Sequence, residues 1–219
     1  MTYSLAERFV SINGEGQHVG LLAVFLRFPG CNLRCSYCDT QWANETDCTV
    51  ESLSKEEILS YVAKTGVHHV TVTGGEPLLQ AGIAELLQSL SMLPHVQVEV
   101  ETNGSVDLSP FLKAAPLVHY TMDYKLPGSG MEPAMHLPNL TQLRETDTLK
   151  FVCGSASDLT RMSEILDKYP LRVPIYLSPV FGQITPADMV DFMKDTALSQ
   201  VRLQLQLHKF IWPPEQRGV

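Results

Sequence analysis

Three of the chain's five cysteines stand within eight residues, in Cys31-Asn32-Leu33-Arg34-Cys35-Ser36-Tyr37-Cys38, just after an apolar run that ends at Phe28. Spacings of three and two intervening residues let one loop wrap its thiolates around a compact inorganic centre, as the short cysteine runs of ferredoxins do. A closed structural zinc site wants a fourth Cys or His, and an electron-transfer cluster normally takes four cysteines. Neither Cys48 nor a local histidine stands at a suitable spacing. Three ligands leave one metal position open, which is how a centre binds a substrate, so the loop reads as a catalytic site. On the cysteines alone, a zinc-stabilised binding module and a redox-sensing trio of thiols are the competing readings.

The rest of the composition is that of an ordinary globular chain. Its 219 residues are 44% apolar and 18% charged, enough for one sizeable core, and a single domain over residues 1–219 is expected. A net charge of −8 without a Lys/Arg run argues against a nucleic-acid partner, while a small anionic or zwitterionic ligand held by a few placed cations fits. The N-terminus lacks the basic and apolar regions of a signal peptide, and no apolar run is long enough for a membrane span. A cytoplasmic location is therefore expected, where clustered cysteines are metal ligands rather than disulfides.

Strand and helix signals alternate along the chain. A short strand from Phe9 runs into the Gly-rich loop Asn13-Gly14-Glu15-Gly16, and residues 21–28 form a strand that delivers the cysteine loop. Residues 41–51 read as a polar connection. Ser54-Lys55-Glu56-Glu57 then opens a helix through a capping box and stops at Gly66. Further strands are expected at 69–73, 96–101, 117–123, 148–152, 173–177 and 201–207. Helices are expected at 79–93, 108–115 and 157–169, and one begins at Thr185-Pro186 with an N-cap and an N1 proline. Residues 131–145 read as loop with at most a helical turn. This alternation predicts an α/β fold, a partial (β/α)6-type parallel barrel. Its polar segments, each following a strand, are expected to converge on one mouth.

Cys-x-x-x-Cys-x-aromatic-Cys, with Tyr37 as the aromatic, resembles the signature of the radical S-adenosylmethionine (radical SAM) family. That resemblance implies a 4Fe-4S cluster held by Cys31, Cys35 and Cys38, its open iron chelated by S-adenosylmethionine. Thr73-Gly74-Gly75-Glu76-Pro77 stands where the family lines the methionine amino group; by itself, the glycine pair would serve merely to turn the chain. Gly14-Glu15-Gly16, Arg27, Cys38-Asp39-Thr40, Asp123-Tyr124-Lys125-Leu126-Pro127 and Gln206-Leu207-His208 narrow the resemblance. They are similar to members that contract 6-carboxy-5,6,7,8-tetrahydropterin to 7-carboxy-7-deazaguanine with loss of ammonia, on the route to queuosine and related 7-deazapurines. A radical SAM activase acting on a protein glycine is the other enzyme reading.

Carried over by position, the resemblance implies contacts to S-adenosylmethionine from Tyr37, Cys38, Asp39, Gly75, Asp123, Tyr124, Lys125, Ser178, Pro179, Val180 and Phe181. It implies Mg2+ at Thr40, although a Thr after Asp would equally cap the next turn. The pterin would meet Ile12, Asn13, Gly14, Glu15, Thr73, His208 and the C-terminal Val219, with Arg27 offering its carboxylate a bidentate fork. The family often has Gln where Asn13 stands and Ser-Pro-Lys where Asp123-Tyr124-Lys125 stands. A homodimer and an external electron donor of flavodoxin or ferredoxin type complete what the resemblance implies. No residue is assigned to the proton transfers.

Overall fold

A strand sends successive side chains to opposite faces, and here the two sets differ sharply in chemistry. In the computed structural model, which describes residues 1–214 and 216–219, Val70, Val72, Val98, Val100, Tyr120, Met122, Leu149 and Phe151 belong to one buried apolar core. The residues between them, Thr71, Thr73, Glu99, Thr121 and Lys150 among them, are buried and polar. The apolar face is covered by helices; the polar face turns inward.

In chain order the strands are β1 (Thr2–Leu5), β2 (Glu7–Ile12), β3 (Leu22–Phe28), β4 (Glu51–Ser54), β5 (His69–Gly74), β6 (Gln97–Thr102), β7 (His119–Tyr124), β8 (Thr148–Cys153), β9 (Ile175–Pro179) and β10 (Val201–Leu203). The helices are α1 (Lys55–Thr65), α2 (Ile83–Ser91), α3 (Ser109–Ala114), α4 (Asn139–Gln142), α5 (Ala156–Lys168), α6 (Pro186–Asp195) and α7 (His208–Ile211). One sheet runs in the order β10-β9-β8-β7-β6-β5-β3-β2. All its pairs are parallel except β2 with β3. Seven parallel strands joined by six crossovers make the partial barrel the sequence predicts.

Local signals place several boundaries. Ser54 caps α1 by accepting from the Glu57 N–H while the Glu57 carboxylate takes the Ser54 N–H, and Gly66 ends the helix in the left-handed region at φ 67°. Thr185 caps α6, whose first turn holds Pro186. Other expectations are corrected. The helix expected from residue 79 begins at Ile83, because a 3-10 turn at Pro77–Leu79 and a left-handed Gly82 intervene. The last strand, expected to reach residue 207, stops at Leu203, and a short helix opens at His208. The polar connection ends in β4, which pairs antiparallel with β1 as a separate ribbon.

The largest correction concerns the loop after β2. Because β2 is antiparallel to β3, this loop leaves at the end of the barrel opposite the expected mouth. It turns inward as a floor: Asn13 Oδ1 accepts from Thr71 Oγ1 at 2.8 Å, and Gln17 Nε2 donates to Thr148 Oγ1 at 2.9 Å. It also stitches the open side of the sheet, exchanging hydrogen bonds between the Gly16 backbone and the Gln204 side chain at 2.7 and 3.0 Å. Gly16 holds φ 78°, and a Cβ there would stand 3.1 Å from Glu99 Oε1.

Glu99 is 6% exposed and accepts from Thr121 Oγ1. Burial, and then repulsion from Glu101, push its carboxyl up to about 7. The folded chain thus keeps this proton through a window in which the unfolded chain has released it, so stability falls as pH rises from 4.5 towards 7. In full the loss is roughly 3 kcal/mol. Glu99→Gln should remove this contribution; thermal melts between about pH 5 and 8 are expected to show a flatter stability profile in the variant than in the wild type.

Candidate active site

A cavity of about 660 Å³ opens at the C-terminal ends of the parallel strands, with Cys31, Cys35 and Cys38 in its wall. All three are free and half-buried. Their loop is pinned from several directions: Gly30 N donates to Ala43 O at 2.9 Å, Ser36 N to Ser129 O at 3.1 Å, and Ser36 Oγ to Gly128 O at 2.7 Å. Cys31 Sγ accepts from Leu33 N and Asn103 Nδ2, both at 3.4 Å. Cys153 is buried in the apolar core, and the Cys48 thiol donates to its neighbour's carbonyl at Thr49. Among the described residues, no group of three or more His, Cys, Asp or Glu side chains converges closely enough to hold a single metal ion. Three free thiols on one pinned loop suit a cluster whose irons each take one ligand.

The loop after β5 supports that one. Gly75 N donates to Phe28 O at 3.0 Å and Glu76 N to Gly30 O at 2.8 Å. A Cβ at Gly75 would collide with the Gly30 carbonyl oxygen and Asn44 Oδ1, so glycine here is a requirement of close approach. The fully buried Glu76 carboxylate accepts from Leu78 N at 3.0 Å, Asn103 N at 2.7 Å and Thr102 Oγ1 at 2.9 Å. Burial pushes its carboxyl up, against those donors. Asn103, fixed in this way, is the residue that reaches Cys31.

The remaining walls are charged. Arg27 directs Nε to Glu7 Oε2 at 3.1 Å and lies in register with Thr73 on β5. On the floor, Glu15 Oε2 accepts from Lys150 Nζ at 2.9 Å and from Gln206 Nε2 at 3.0 Å. Burial opposes ionisation of Glu15, but Lys150, with Gln206 assisting, holds its carboxyl down at about 2. Asp123 pairs with Lys125 at 2.8 Å and stands 3.9 Å from Lys150. Two oxygens of these carboxylates, Glu15 Oε1 and Asp123 Oδ1, are buried without a hydrogen-bond partner among the described residues. Such atoms ask for a donor from outside the protein. At the rim, Lys209 Nζ is 3.2 Å from Asp39 Oδ2, and Arg217 lies 4.0 Å above the Trp42 ring. The Thr40 hydroxyl sits 3.7 Å from Cys38 Sγ.

Of the residues singled out from sequence, Cys31, Cys35, Cys38, Tyr37, Asp39, Thr40, Gly75, Asp123, Lys125, Val180, Phe181, Ile12, Gly14, Glu15, Arg27, Thr73, His208 and Val219 line this cavity. The structure places four elsewhere. Tyr124 alternates away from Asp123 and Lys125, and its hydroxyl donates to Glu132 Oε1 at 3.1 Å outside the barrel. Ser178 and Pro179 are buried in β9 and do not line the cavity, although the Ser178 hydroxyl stands close enough to Glu15 to help hold its carboxyl down, and Asn13 is buried against Thr71. Sequence reasoning missed Glu7 and Lys150, and it gave Asn103, Gln206 and Arg217 no contact of their own. For Lys150, a lone charge between Leu149 and Phe151 in an otherwise apolar strand was the available signal.

This parallel partial barrel with a three-cysteine loop at its mouth is the architecture of a radical SAM enzyme, and residues 25–125 match the family described as the Radical SAM superfamily. The chain is 53% identical to a 7-carboxy-7-deazaguanine synthase of Clostridium acetobutylicum, over 100% of both chains. It is 36% identical to one of Methanospirillum hungatei, over 96% of this chain and 86% of that one. The crystal structure of QueE from Escherichia coli superposes with a TM-score of 0.72 at 23% identity, covering 94% of each chain, and shows the same fold. The chain belongs to the 7-carboxy-7-deazaguanine synthase family of radical SAM lyases.

Gly75→Ala should force the two loops apart, at a cost on the order of 1–3 kcal/mol concentrated at the cysteine loop. The expected result is less iron retained per chain after anaerobic reconstitution, with far-UV circular dichroism unchanged.

Proposed function

We propose that this chain converts 6-carboxy-5,6,7,8-tetrahydropterin to 7-carboxy-7-deazaguanine with loss of ammonia, as a radical SAM carbon-nitrogen lyase serving queuosine and related 7-deazapurine biosynthesis. The observation that carries this reading is one cavity holding three free thiols, the Arg27 guanidinium and the anionic Glu15. A 4Fe-4S cluster on Cys31, Cys35 and Cys38, when bound, supplies the electron that cleaves S-adenosylmethionine to a 5′-deoxyadenosyl radical.

The chain's own residues bind, orient and shield. Arg27 grips the pterin carboxylate with the guanidinium nitrogens that Glu7 leaves free, Glu7 fixing the fork by its hold on Nε. Glu15 presents Oε1 to the pterin's amino and ring N–H groups, and Ile12, Gly14, Thr73 and His208 close around the same ring. Burial keeps His208 below the usual histidine range and thus neutral, so it offers one donor and one acceptor. Tyr37, Asp39, Gly75, Asp123, Lys125, Val180 and Phe181 border S-adenosylmethionine, Asp123 through its free Oδ1. The Thr40 hydroxyl would offer one oxygen ligand to Mg2+, an ion that keeps few protein ligands. Holding the carboxylate at two points leaves one C6 hydrogen facing the radical, an orientation effect.

The C-terminal residues Gly218 and Val219 stand in the cavity wall, and Arg217 anchors them by stacking on Trp42. They complete the pterin pocket. We further place the chain as a single domain over residues 1–219, a cytoplasmic homodimer reduced by a flavodoxin- or ferredoxin-type donor. Among the described residues, no helix is long and apolar enough to cross a membrane.

Anaerobic incubation of the reconstituted protein with S-adenosylmethionine, Mg2+, a reductant and the pterin tests the reading by mass analysis. A deazaguanine carboxylate plus ammonia is expected; cofactor cleavage with the pterin left intact would overturn it. Arg27→Ala should raise the KM for the pterin by roughly 10–100-fold, the worth of a charge-assisted hydrogen bond, and Arg27→Lys should recover only part of it. A C-terminal tag is expected to lower turnover more than an N-terminal one, and equal rates would remove the tail from the site.

A further inference from the structure

Lys150 belongs to no sequence motif, yet it is the cation on which the cavity floor is built. Its side chain is 10% exposed and its Nζ meets Glu15 at 2.9 Å and Asp123 at 3.9 Å. Burial opposes its charge, but Glu15, and then Asp123 and Glu101, hold the ammonium well above the ordinary lysine range. Each of its two near partners keeps one buried oxygen that no group hydrogen-bonds at close range among the described residues, the Ser178 hydroxyl standing near Glu15. The two carboxylates therefore share one arrangement: one oxygen turned towards the lysine, the other open to a ligand.

We propose that Lys150 is a positioning residue for the reaction, holding Glu15 as an anion with Oε1 turned to the pterin's N–H edge and tying that floor to Asp123 on the S-adenosylmethionine side. The inference rests on the pterin reading above. A neutral carboxylic acid on the floor would carry a proton of its own and meet the pterin's donors less well. Without an ammonium beside it, a fully buried carboxyl is pushed up by desolvation. The other charged or titratable groups facing Glu15 are His208 on α7 and Asp39 on the cysteine loop, with the neutral Gln206 and the Ser178 hydroxyl on β9 alongside. Burial holds His208 below the usual histidine range, and Lys209 holds the Asp39 carboxyl below the usual carboxylate range, so neither supplies the lysine's fixed positive charge.

The test is equilibrium binding of the pterin to the reconstituted protein without S-adenosylmethionine, by calorimetry from about pH 5 to 8. Wild-type affinity should be insensitive to pH through the Glu15 ionisation, which lies below 4.5. Lys150→Met should bind roughly 10–100-fold more weakly, with affinity falling further as pH drops, an acid limb the wild type lacks. Glu15→Gln should be weak without that limb, and Lys150→Arg should restore wild-type behaviour in large part. Where Lys150→Met does not fold, Glu15→Gln and the double variant Glu15→Gln/Lys150→Met decide. Equal affinity supports action through Glu15, and an additional loss in the double variant overturns it. Wild-type affinity in Lys150→Met, with no acid limb, would equally overturn it.

A ligand-free readout separates the two readings. The Glu15 carboxyl carbon, assigned by its disappearance in Glu15→Gln, should titrate below 4.5 by 13C NMR in the wild type and higher in Lys150→Met. If that shift is seen while the wild type binds no pterin, the substrate assignment fails and the role of Lys150 in holding the floor anionic stands. Without the shift, the role of Lys150 fails whatever the ligand.

Discussion

The structure depends on a division of labour between the two faces of one sheet. Apolar side chains pointing outward meet the helices and supply the burial that drives folding, while those pointing inward are carboxylates, hydroxyls and a lysine that cannot stay buried unpaired. Every inward group has to find a partner in the chain or be left for a ligand. The Glu15–Lys150 pair, the Glu76 contacts and the Glu99–Thr121 bond are the chain's own solutions. The unpartnered oxygens of Glu15 and Asp123 mark where a ligand finishes the task.

The same requirement explains how a flexible cysteine loop becomes a defined site. Glu76 draws together the ends of β5 and β6 through Leu78, Thr102 and Asn103, and Asn103 touches the first thiol. Gly75 permits the backbone approach that brings Glu76 under Gly30. The glycine pair and the glutamate thus act on the thiols through packing and backbone hydrogen bonds, without themselves being ligands. A buried carboxylate with several donors is costly to break, which makes this junction rigid.

The parallel architecture was legible in the sequence because its punctuation is local: the Ser54 capping box, Gly66, and Thr185-Pro186 need no distant partner to be read. What escaped was whatever a distant partner decides. Glu51-Ser52-Leu53-Ser54 has little strand character until β1 pairs with it. The antiparallel entry of β2, which sends the Asn13–Gly16 segment to the floor, depends on which edge of β3 it joins. Family resemblance carried Asp123, Tyr124 and Lys125 over as a block, whereas adjacent strand residues face opposite ways and only the outer two share the cavity. Lys150 looked like one charge in an apolar strand; its partner lies 135 positions away.

The inward turn of the loop after β2 also decides the traffic of the reaction. With Gln17 fastened to the start of β8 and His18 lodged against the rings of His69 and His119, the far end of the barrel is stoppered. What enters or leaves the cavity is thereby directed to the opposite end, beside the thiols.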